Sequence, residues 1–231
     1  MLFANDKHEF EELYTELGSY LGTKPNRSVM FVGAHPRTGT SLVARNFALA
    51  AAAHEQSPVL LVDMTGKENT QFNWFMQHHQ EQGGAYSYEV DPARLPQRGP
   101  WTHHGSNGGT PLPAFRCYWF ERINVAVSTC YGAEQPPMLD LQAQEAFWNE
   151  LHRFFELIVV DCPPRSEGVE CTALAPYIDA TVLVISAEDT RVPVAAHLRD
   201  ELEATGARIP GIVFNKRRFY IPDFIYNRMG G

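Results

Sequence analysis

A short loop that follows an apolar run carries residue types that can bind phosphate. The run ends at Gly33, the loop covers residues 34–41, and a Leu- and Ala-rich stretch with a helical pattern comes next. A strand, a loop of small residues and a helix in this order expose backbone N–H groups and a helix N-terminus, and both favour an anion. The sequence therefore predicts a phosphate-binding loop between a strand and a helix.

The predicted loop lacks the cation of the usual pattern, G-x-x-x-x-G-K-[ST]. Ala34 takes the first glycine position, and Gly39 takes the second. Thr40 stands at the lysine position, and Ser41 stands at the position of the magnesium-binding hydroxyl. The loop therefore has the form of a phosphate cradle without its principal cation. The candidate nucleotide-binding residues in the loop and directly after it are Ala34, Pro36, Arg37, Thr38, Gly39, Thr40, Ser41 and Leu42.

Two apolar runs end in an aspartate. Asp63 follows the run at residues 59–62, and Asp161 follows the run at residues 157–160 and precedes two prolines. Ligand sites of α/β sheets lie at the carboxyl ends of strands, where carboxylates can hold magnesium or activate a nucleophile. We therefore expect Asp63 and Asp161 to be catalytic if the chain is active, and to bind Mg²⁺ with Ser41 if nucleotide is bound. For Asp63, a cap on the following turn is an equally good interpretation.

The alternation of short apolar runs with helical patterns predicts the α/β class. We expect a mostly parallel β-sheet with helices on both faces, in the manner of a P-loop NTPase fold, and a single domain over residues 1–231. The predicted strands are residues 29–33, 59–63, 123–128, 157–161, 179–186 and 211–215, and the predicted helices are residues 5–22, 42–48, 140–155 and 190–204.

Two segments differ in composition from the rest of the chain. Residues 83–113 are rich in Gly and Pro and show no helical or strand period, which predicts a flexible insertion that is either functional or disordered. The tail, residues 208–231, holds five basic residues against one acidic residue, with aromatic residues between them. Two interpretations of the tail are equally good. It is either a contact with an anionic membrane or a partner's juxtamembrane segment, or an ordinary C-terminal helix with a solvated basic cluster.

Composition argues against several classes of protein. A net charge of -8 argues against nucleic acid as a partner. No apolar run approaches the ~20 residues of a membrane helix, and the first residues do not resemble a signal peptide. The four cysteines are scattered without a C-x-x-C pair, which indicates reduced thiols and a cytoplasmic location.

The order of these motifs resembles that of one family, the cytoplasmic domains of bacterial tyrosine kinases and the exopolysaccharide-biosynthesis ATPases related to MinD and ParA. In that family, the acids that match Asp63 and Asp161 serve magnesium and catalysis, and the asparagine that matches Asn215 lies against the base. The resemblance therefore implies ATP or ADP with Mg²⁺ as cofactors and adds Asn215 to the nucleotide-binding residues. The segments that carry the resemblance are residues 36–41, 60–63, 155–164, 179–184 and 211–219.

The same resemblance implies a cellular role. Members of the family act with a membrane chain-length regulator, a polysaccharide co-polymerase, at the inner face of the membrane, and they form homo-oligomers. This sequence departs from the family pattern at several places. Thr40 replaces the lysine, Arg37 replaces a loop glycine, Met64 stands where a second aspartate is usual, and the C-terminus carries no tyrosine cluster.

Three hypotheses follow from the departures. Loss of the loop lysine removes charge stabilisation from the transition state and lowers the rate by about 10²-fold or more. The leading hypothesis is therefore a catalytically degenerate relative of the bacterial tyrosine kinases that binds and regulates a membrane polysaccharide co-polymerase. The second is an active ATPase or tyrosine autokinase that uses Arg37 as its phosphate cation, because a guanidinium can clamp phosphate. The third is a MinD-type positioning ATPase whose tail binds lipid.

Overall fold

A computed structural model describes residues 7–22, 24–65, 69–81, 87–97, 99–103, 112–113, 115–130 and 138–216. The helices are α1 (Lys7–Leu21), α2 (Thr40–Ala52), α3 (Thr70–Glu81), α4 (Gln144–Leu151), α5 (Glu170–Leu174) and α6 (Val192–Ala204). The strands are β1 (Arg27–Gly33), β2 (Val59–Asp63), β3 (Ser87–Glu89), β4 (Trp101–His103), β5 (Leu112–Pro113), β6 (Phe115–Phe120), β7 (Val125–Cys130), β8 (Met138–Leu139), β9 (Leu157–Cys162), β10 (Ala180–Ser186) and β11 (Gly211–Asn215).

The main sheet has eight strands in the order β11-β10-β1-β9-β2-β7-β6-β3 within the described residues. The six strands from β11 to β7 run parallel, and β6 and β3 add an antiparallel edge. This arrangement confirms the predicted α/β class with a mostly parallel sheet. Parallel strands that are covered on both faces need near-continuous apolar sequence, which is the pattern that β2, β9 and β10 show.

Helices cover the sheet on both sides. On one side α1 and α2 pack on the sheet through an apolar cluster that includes Phe10, Phe31 and Phe47. On the other side α4, α5 and α6 pack through a second cluster that includes Trp148, Leu174 and Leu198. The two clusters hold the central strand β1 rigidly, and β1 leads directly into the predicted phosphate loop.

The predicted insertion at residues 83–113 contains strands that the sequence analysis did not predict. β3 pairs antiparallel with β6 and extends the main sheet. β4 pairs with β5 and with β8 in a separate three-stranded sheet among the described residues. Strands of two or three residues are too short to show a period, so they leave no pattern in the sequence. Residues 83–86, 98 and 104–111 lie outside the described part, and the flexibility of the insertion stays a prediction.

Other element bounds also differ from expectation. The strand predicted from residue 123 begins at Val125, because residues Glu121–Ile123 form a 3-10 turn and Asn124 has a left-handed backbone with φ of 53°. β6, α3 and α5 were not predicted. None of the helices in the described ranges combines the length and apolar character needed to cross a bilayer.

Candidate functional site

The loop between β1 and α2 has an unusual backbone. Arg37 has φ of 66° and Gly39 has φ of 88°, both in the left-handed region. Glycine adopts this region freely, whereas a residue with a bulky side chain is strained there. A Cβ on Gly39 would also lie 2.1 Å from Nδ2 of Asn215. Position 39 therefore requires glycine for two reasons, and Arg37 keeps its strained backbone only because its surroundings hold it there.

The N-terminus of α2 faces the loop without a side-chain cap. Its N-cap residue is Gly39, which makes no side-chain hydrogen bond to the helix. The first N–H groups of a helix have no partner within the helix and carry its positive partial charge. Ser41 and the half-buried Leu42 lie in this first turn. The arrangement fits a phosphate group, which is the anion that the sequence analysis predicted for this loop.

Thr40, at the lysine position, is turned back towards the end of β1. Its Oγ1 lies 2.9 Å from Oγ1 of Thr38, and both side chains are buried. A Cβ on Gly33 would lie 2.5 Å from each of these two hydroxyl oxygens. In the usual pattern, this position carries the ammonium group of a lysine. Here it carries a neutral hydroxyl group that contacts Thr38 in the same loop.

Asn215 and Lys216, at the end of β11, donate hydrogen bonds to carbonyl groups of the loop. Asn215 donates from Nδ2 to the Thr38 carbonyl at 2.7 Å, and Lys216 donates from Nζ to the Arg37 carbonyl at 2.6 Å. Oδ1 of Asn215 accepts the Lys216 N–H at 2.8 Å. The predicted contact of Asn215 with a base stays a prediction, because in this structure its amide group serves the loop. Sequence reasoning missed Lys216, whose only signal is that it follows the strand-ending asparagine.

Three further contacts fix the start of the loop. Ala34 donates its N–H to the carbonyl of Val184 on β10 at 3.0 Å, which extends the sheet register into the loop. His35 contacts the Pro36 carbonyl through Nδ1 at 2.9 Å and Oγ1 of Thr190 through Nε2 at 2.9 Å. The loop is therefore attached to β10, to the turn before α6 and to β11.

The two acids lie side by side. Asp63 on β2 and Asp161 on β9 are register partners, and both are buried. Asp63 accepts the Thr65 N–H at 3.0 Å and the Gln71 N–H at 3.1 Å, and it also accepts the Thr65 hydroxyl. Through Thr65, Asp63 therefore caps the turn that follows β2, which is the second of the two interpretations left open from sequence, and it also accepts from the first turn of α3. A metal-binding role for the same carboxylate stays a prediction.

Asp161 has an unusual protonation equilibrium. Burial and, to a smaller extent, the neighbouring Asp63 raise the pKa of its carboxyl group to about 7, while Gln71, Ser41 and Arg45 act in the opposite direction. Its Oδ2 accepts from Nε2 of Gln71 at 2.7 Å, whereas its Oδ1 is buried without a hydrogen-bond partner.

Mg²⁺ fits the residues that surround this pair. An unpartnered carboxylate oxygen beside a serine hydroxyl is an oxygen-only set of the kind that Mg²⁺ prefers. The structure brings Ser41, Asp63 and Asp161 together, and these side chains would hold the ion next to the loop. No cluster of three or more His, Cys, Asp or Glu side chains that could hold a metal occurs anywhere in the described ranges.

Three residues behind the acids were missed from sequence. Arg45 on α2 is buried, donates from Nη1 to Oε1 of Gln71 at 3.3 Å, and stacks over Trp74 at 4.1 Å from its guanidinium carbon to the ring centre. Burial lowers the pKa of Arg45 to about 10, and Asp161 opposes this shift. The available signal was a single arginine, four residues after Ser41, on the helix face that is otherwise apolar.

Solved structures share this architecture over most of the chain. The kinase domain of VpsO has a TM-score of 0.59 at 21% sequence identity, with coverage of 92% of this chain and 96% of that domain. The kinase domain of the Escherichia coli tyrosine kinase Etk has a TM-score of 0.64 at 15% identity, with coverage of 94% and 79%. The fold is that of bacterial tyrosine kinase domains.

A third match concerns nucleotide binding. A nucleotide-binding protein from Archaeoglobus fulgidus, solved in complex with ADP, has a TM-score of 0.50 at 12% identity, with coverage of 92% of this chain and 74% of that one. At the level of sequence, no protein-family model matches the chain, and no curated protein matches it significantly. The loop lies between β1 and α2, and the two acids lie in β2 and β9; their roles in binding and catalysis stay predictions.

Proposed function

We propose that this chain is a catalytically degenerate, kinase-like component of exopolysaccharide or capsule synthesis that binds and regulates a membrane polysaccharide co-polymerase. One observation carries the proposal. Thr40 occupies the lysine position, and its hydroxyl is buried against Thr38 at 2.9 Å. The kinase fold and the resemblance in motif order support the assignment of the biological process.

The physical argument concerns charge. Phosphoryl transfer depends on positive groups that stabilise the charge spreading over the transferred phosphoryl group. The neutral hydroxyl of Thr40 supplies none, so the rate falls by about 10²-fold or more. ATP or ADP would still find the N-terminus of α2 for its phosphates, and Ser41 with the two acids for Mg²⁺. The ion would supply charge neutralisation, and the chain would orient the phosphates without accelerating their transfer.

The test measures turnover and binding together. Wild type, Asp161→Ala and Thr40→Lys are purified as the full chain, and ATP hydrolysis, autophosphorylation and the heat of ATP binding are recorded with Mg²⁺. We expect wild-type turnover to equal that of Asp161→Ala, and Thr40→Lys to bind ATP at least tenfold more tightly than wild type. Wild-type turnover that Asp161→Ala abolishes would refute catalytic degeneracy.

One observation favours the alternative of an active ATPase or tyrosine autokinase, and the same experiment tests it. The side chain of Arg37 is exposed at the loop, and the ammonium group of Lys216 lies against the Arg37 carbonyl. If either cation replaces the lysine, Arg37→Ala or Lys216→Met abolishes turnover while Thr40→Lys retains it. The MinD-type alternative depends on the tail, of which residues 217–231 lie outside the described part of the chain.

The partner is tested in cells. Membranes are fractionated with and without co-expression of a polysaccharide co-polymerase that retains its cytoplasmic termini. We expect the chain to enter the membrane fraction only with the co-polymerase, and Asp161→Ala to behave as wild type because the proposed binding needs no turnover. Equal partition with and without the co-polymerase would refute the proposed partner and leave the turnover result unaffected.

A further inference from the structure

A buried guanidinium lies beside the two acids and belongs to none of the motifs that predicted the site. Arg45 is one turn beyond Ser41 on α2 and is 8% exposed. Arginine is seldom buried without a charged partner, because removal of its charge from water is costly. Among the described residues, Arg45 forms no direct ion pair with an acid. Any charged partner is therefore connected to Arg45 through another residue.

Gln71 connects Arg45 to both acids. Its Oε1 accepts from Nη1 of Arg45 at 3.3 Å, and its Nε2 donates to Oδ2 of Asp161 at 2.7 Å. The same Nε2 donates to the Ser41 carbonyl at 2.9 Å, and the Gln71 backbone N–H donates to Oδ2 of Asp63 at 3.1 Å. The side chain of Gln71 therefore links the guanidinium to Asp161, and its backbone N–H binds Asp63.

The acids require a positive charge close to them. Asp63 and Asp161 are 3% and 1% exposed and are register partners, so ionisation of both would place two like charges together in a medium of low polarity. The lysine that would lie near them in the usual loop pattern is Thr40 here. Arg45 is a buried cation that Gln71 connects to Asp161 through two hydrogen bonds.

The surroundings of Arg45 suit a permanent cation. Its planar group stacks on Trp74 at 4.1 Å, and a guanidinium tolerates such an environment because it is weakly hydrated and keeps its charge. Its Nε is buried without a hydrogen-bond partner, which is an energetic cost that packing alone does not explain. A leucine or methionine would fill the same space without that cost.

We propose that Arg45 is the built-in counter-ion of the Asp63–Asp161 pair, acting through Gln71, so that the pair is charge-compensated without a metal ion. Arg45 is a positioning residue rather than a catalytic one. The inference goes beyond the proposed function, and it holds whether or not the chain transfers phosphate.

The experiment compares thermal unfolding midpoints of the nucleotide-free full chain in EDTA and in MgCl₂. The variants are Arg45→Met, Arg45→Lys, Asp161→Asn and the double variant Arg45→Met with Asp161→Asn. The matched control is Arg153→Met, since Arg153 is exposed. We expect the wild-type midpoint to be equal in the two solutions, and that of Arg45→Met to fall by more than about 4 °C in EDTA.

Two treatments that should restore the unfolding midpoint distinguish charge compensation from packing. Mg²⁺ is expected to recover at least half of the loss in Arg45→Met, and Asp161→Asn is expected to reduce the effect of Arg45→Met by at least half. Arg45→Lys is expected to retain most of the midpoint because it keeps the charge. If the loss is the same with Mg²⁺ and in the Asp161→Asn background, Arg45 only packs on Trp74 and the proposal is wrong.

A second variant covers the case in which Arg45→Met does not fold. Gln71→Met cuts the link between the guanidinium and the acids and leaves the stacking of Arg45 on Trp74 in place. We expect Gln71→Met to be less stable in EDTA than in MgCl₂, and to bind Mg²⁺ calorimetrically in the absence of nucleotide, where wild type binds none. Binding of Mg²⁺ to nucleotide-free wild type with the affinity of Gln71→Met would overturn the proposal.

Discussion

Single residues determine what the phosphate loop can do. The hydroxyl oxygens of Thr38 and Thr40 lie 2.9 Å apart, and both approach the α-carbon of Gly33. Space for this pair exists only because Gly33 has no side chain. The substitution at the lysine position is therefore accommodated by a residue seven positions earlier, on the strand rather than in the helix.

Gly33→Ala tests this packing. A Cβ at position 33 would lie 2.5 Å from both hydroxyl oxygens, so we expect a loss of about 1–3 kcal/mol in the free energy of unfolding. The control is Gly211→Ala, where nothing lies within 4 Å of the added carbon, and this variant is expected to change stability by less than about 0.5 kcal/mol. Urea denaturation measures both. Equal effects of the two substitutions would show that the hydroxyl pair does not fill the space next to Gly33.

The protonation of Asp161 makes stability depend on pH. Its pKa in the folded chain is raised to about 7, above the ordinary value of 3.8, so folding favours the protonated acid. Stability is therefore fully present below the ordinary pKa and falls as the pH rises from there to about 7. We expect Asp161→Asn, in EDTA, to be more stable than wild type by on the order of 2–4 kcal/mol near pH 8.

The same substitution provides its own control at low pH. Near pH 4 the wild-type carboxyl is protonated, so the difference in the free energy of unfolding should shrink to below about 1 kcal/mol. Denaturant titrations across this range measure it. A difference that does not change with pH would mean that Asp161 keeps its ordinary ionisation in the fold.

At the scale of elements, some strands could be predicted from the sequence and others could not. β1, β2, β9 and β10 could be predicted because each is a continuous apolar run that is buried on both faces. The loop and the two acids could be predicted because they follow directly from these strands. The short strands β3 to β5 could not, since they are defined by their pairing partners rather than by their own composition.

Arg45 and Gln71 could not be predicted as site residues for a related reason. Gln71 lies 26 residues after Arg45 and 90 residues before Asp161, and only the fold of α3 over the ends of β2 and β9 brings them together. Gln71 is an ordinary helix residue in the sequence. A motif scan detects residues whose spacing is fixed by one loop, whereas this network combines α2, α3 and β9.

The hold of β11 on the loop gives a prediction at this scale. Asn215→Ala removes the donor to the Thr38 carbonyl and leaves that buried acceptor unpaired, which costs about 1–3 kcal/mol. We also expect faster hydrogen exchange of the loop amides at residues 37–43. Lys216→Met, at an exposed side chain, serves as the comparison and should cost less than about 1 kcal/mol. Unchanged exchange in Asn215→Ala would show that β1 and α2 alone shape the loop.

At the scale of the whole molecule, the tail and the rest of the chain carry net charges of opposite sign. The chain carries a net charge of -8, while residues 208–231 hold five basic residues and one acidic residue. The rest of the chain is therefore strongly acidic and is repelled by an anionic surface, which opposes attachment by the tail alone.

This balance predicts behaviour with lipid. We expect the full chain not to sediment with vesicles that contain anionic phospholipid, with or without ATP, at physiological ionic strength. The control is a peptide of residues 208–231, which should sediment at low salt and be released as salt is raised. Sedimentation of the full chain in the presence of ATP would favour the MinD-type alternative over the proposed function.

The bonds from Asn215 and Lys216 to the loop have a consequence for signalling. These two residues belong to the tail, residues 208–231, so the tail and the predicted phosphate loop are joined directly by these two hydrogen bonds. Any ligand of the tail that displaces Lys216 alters the loop, and any anion in the loop alters the affinity of the tail for that ligand by the same factor. Under the proposed function, these bonds would let nucleotide occupancy of the loop change the affinity of the tail for a partner.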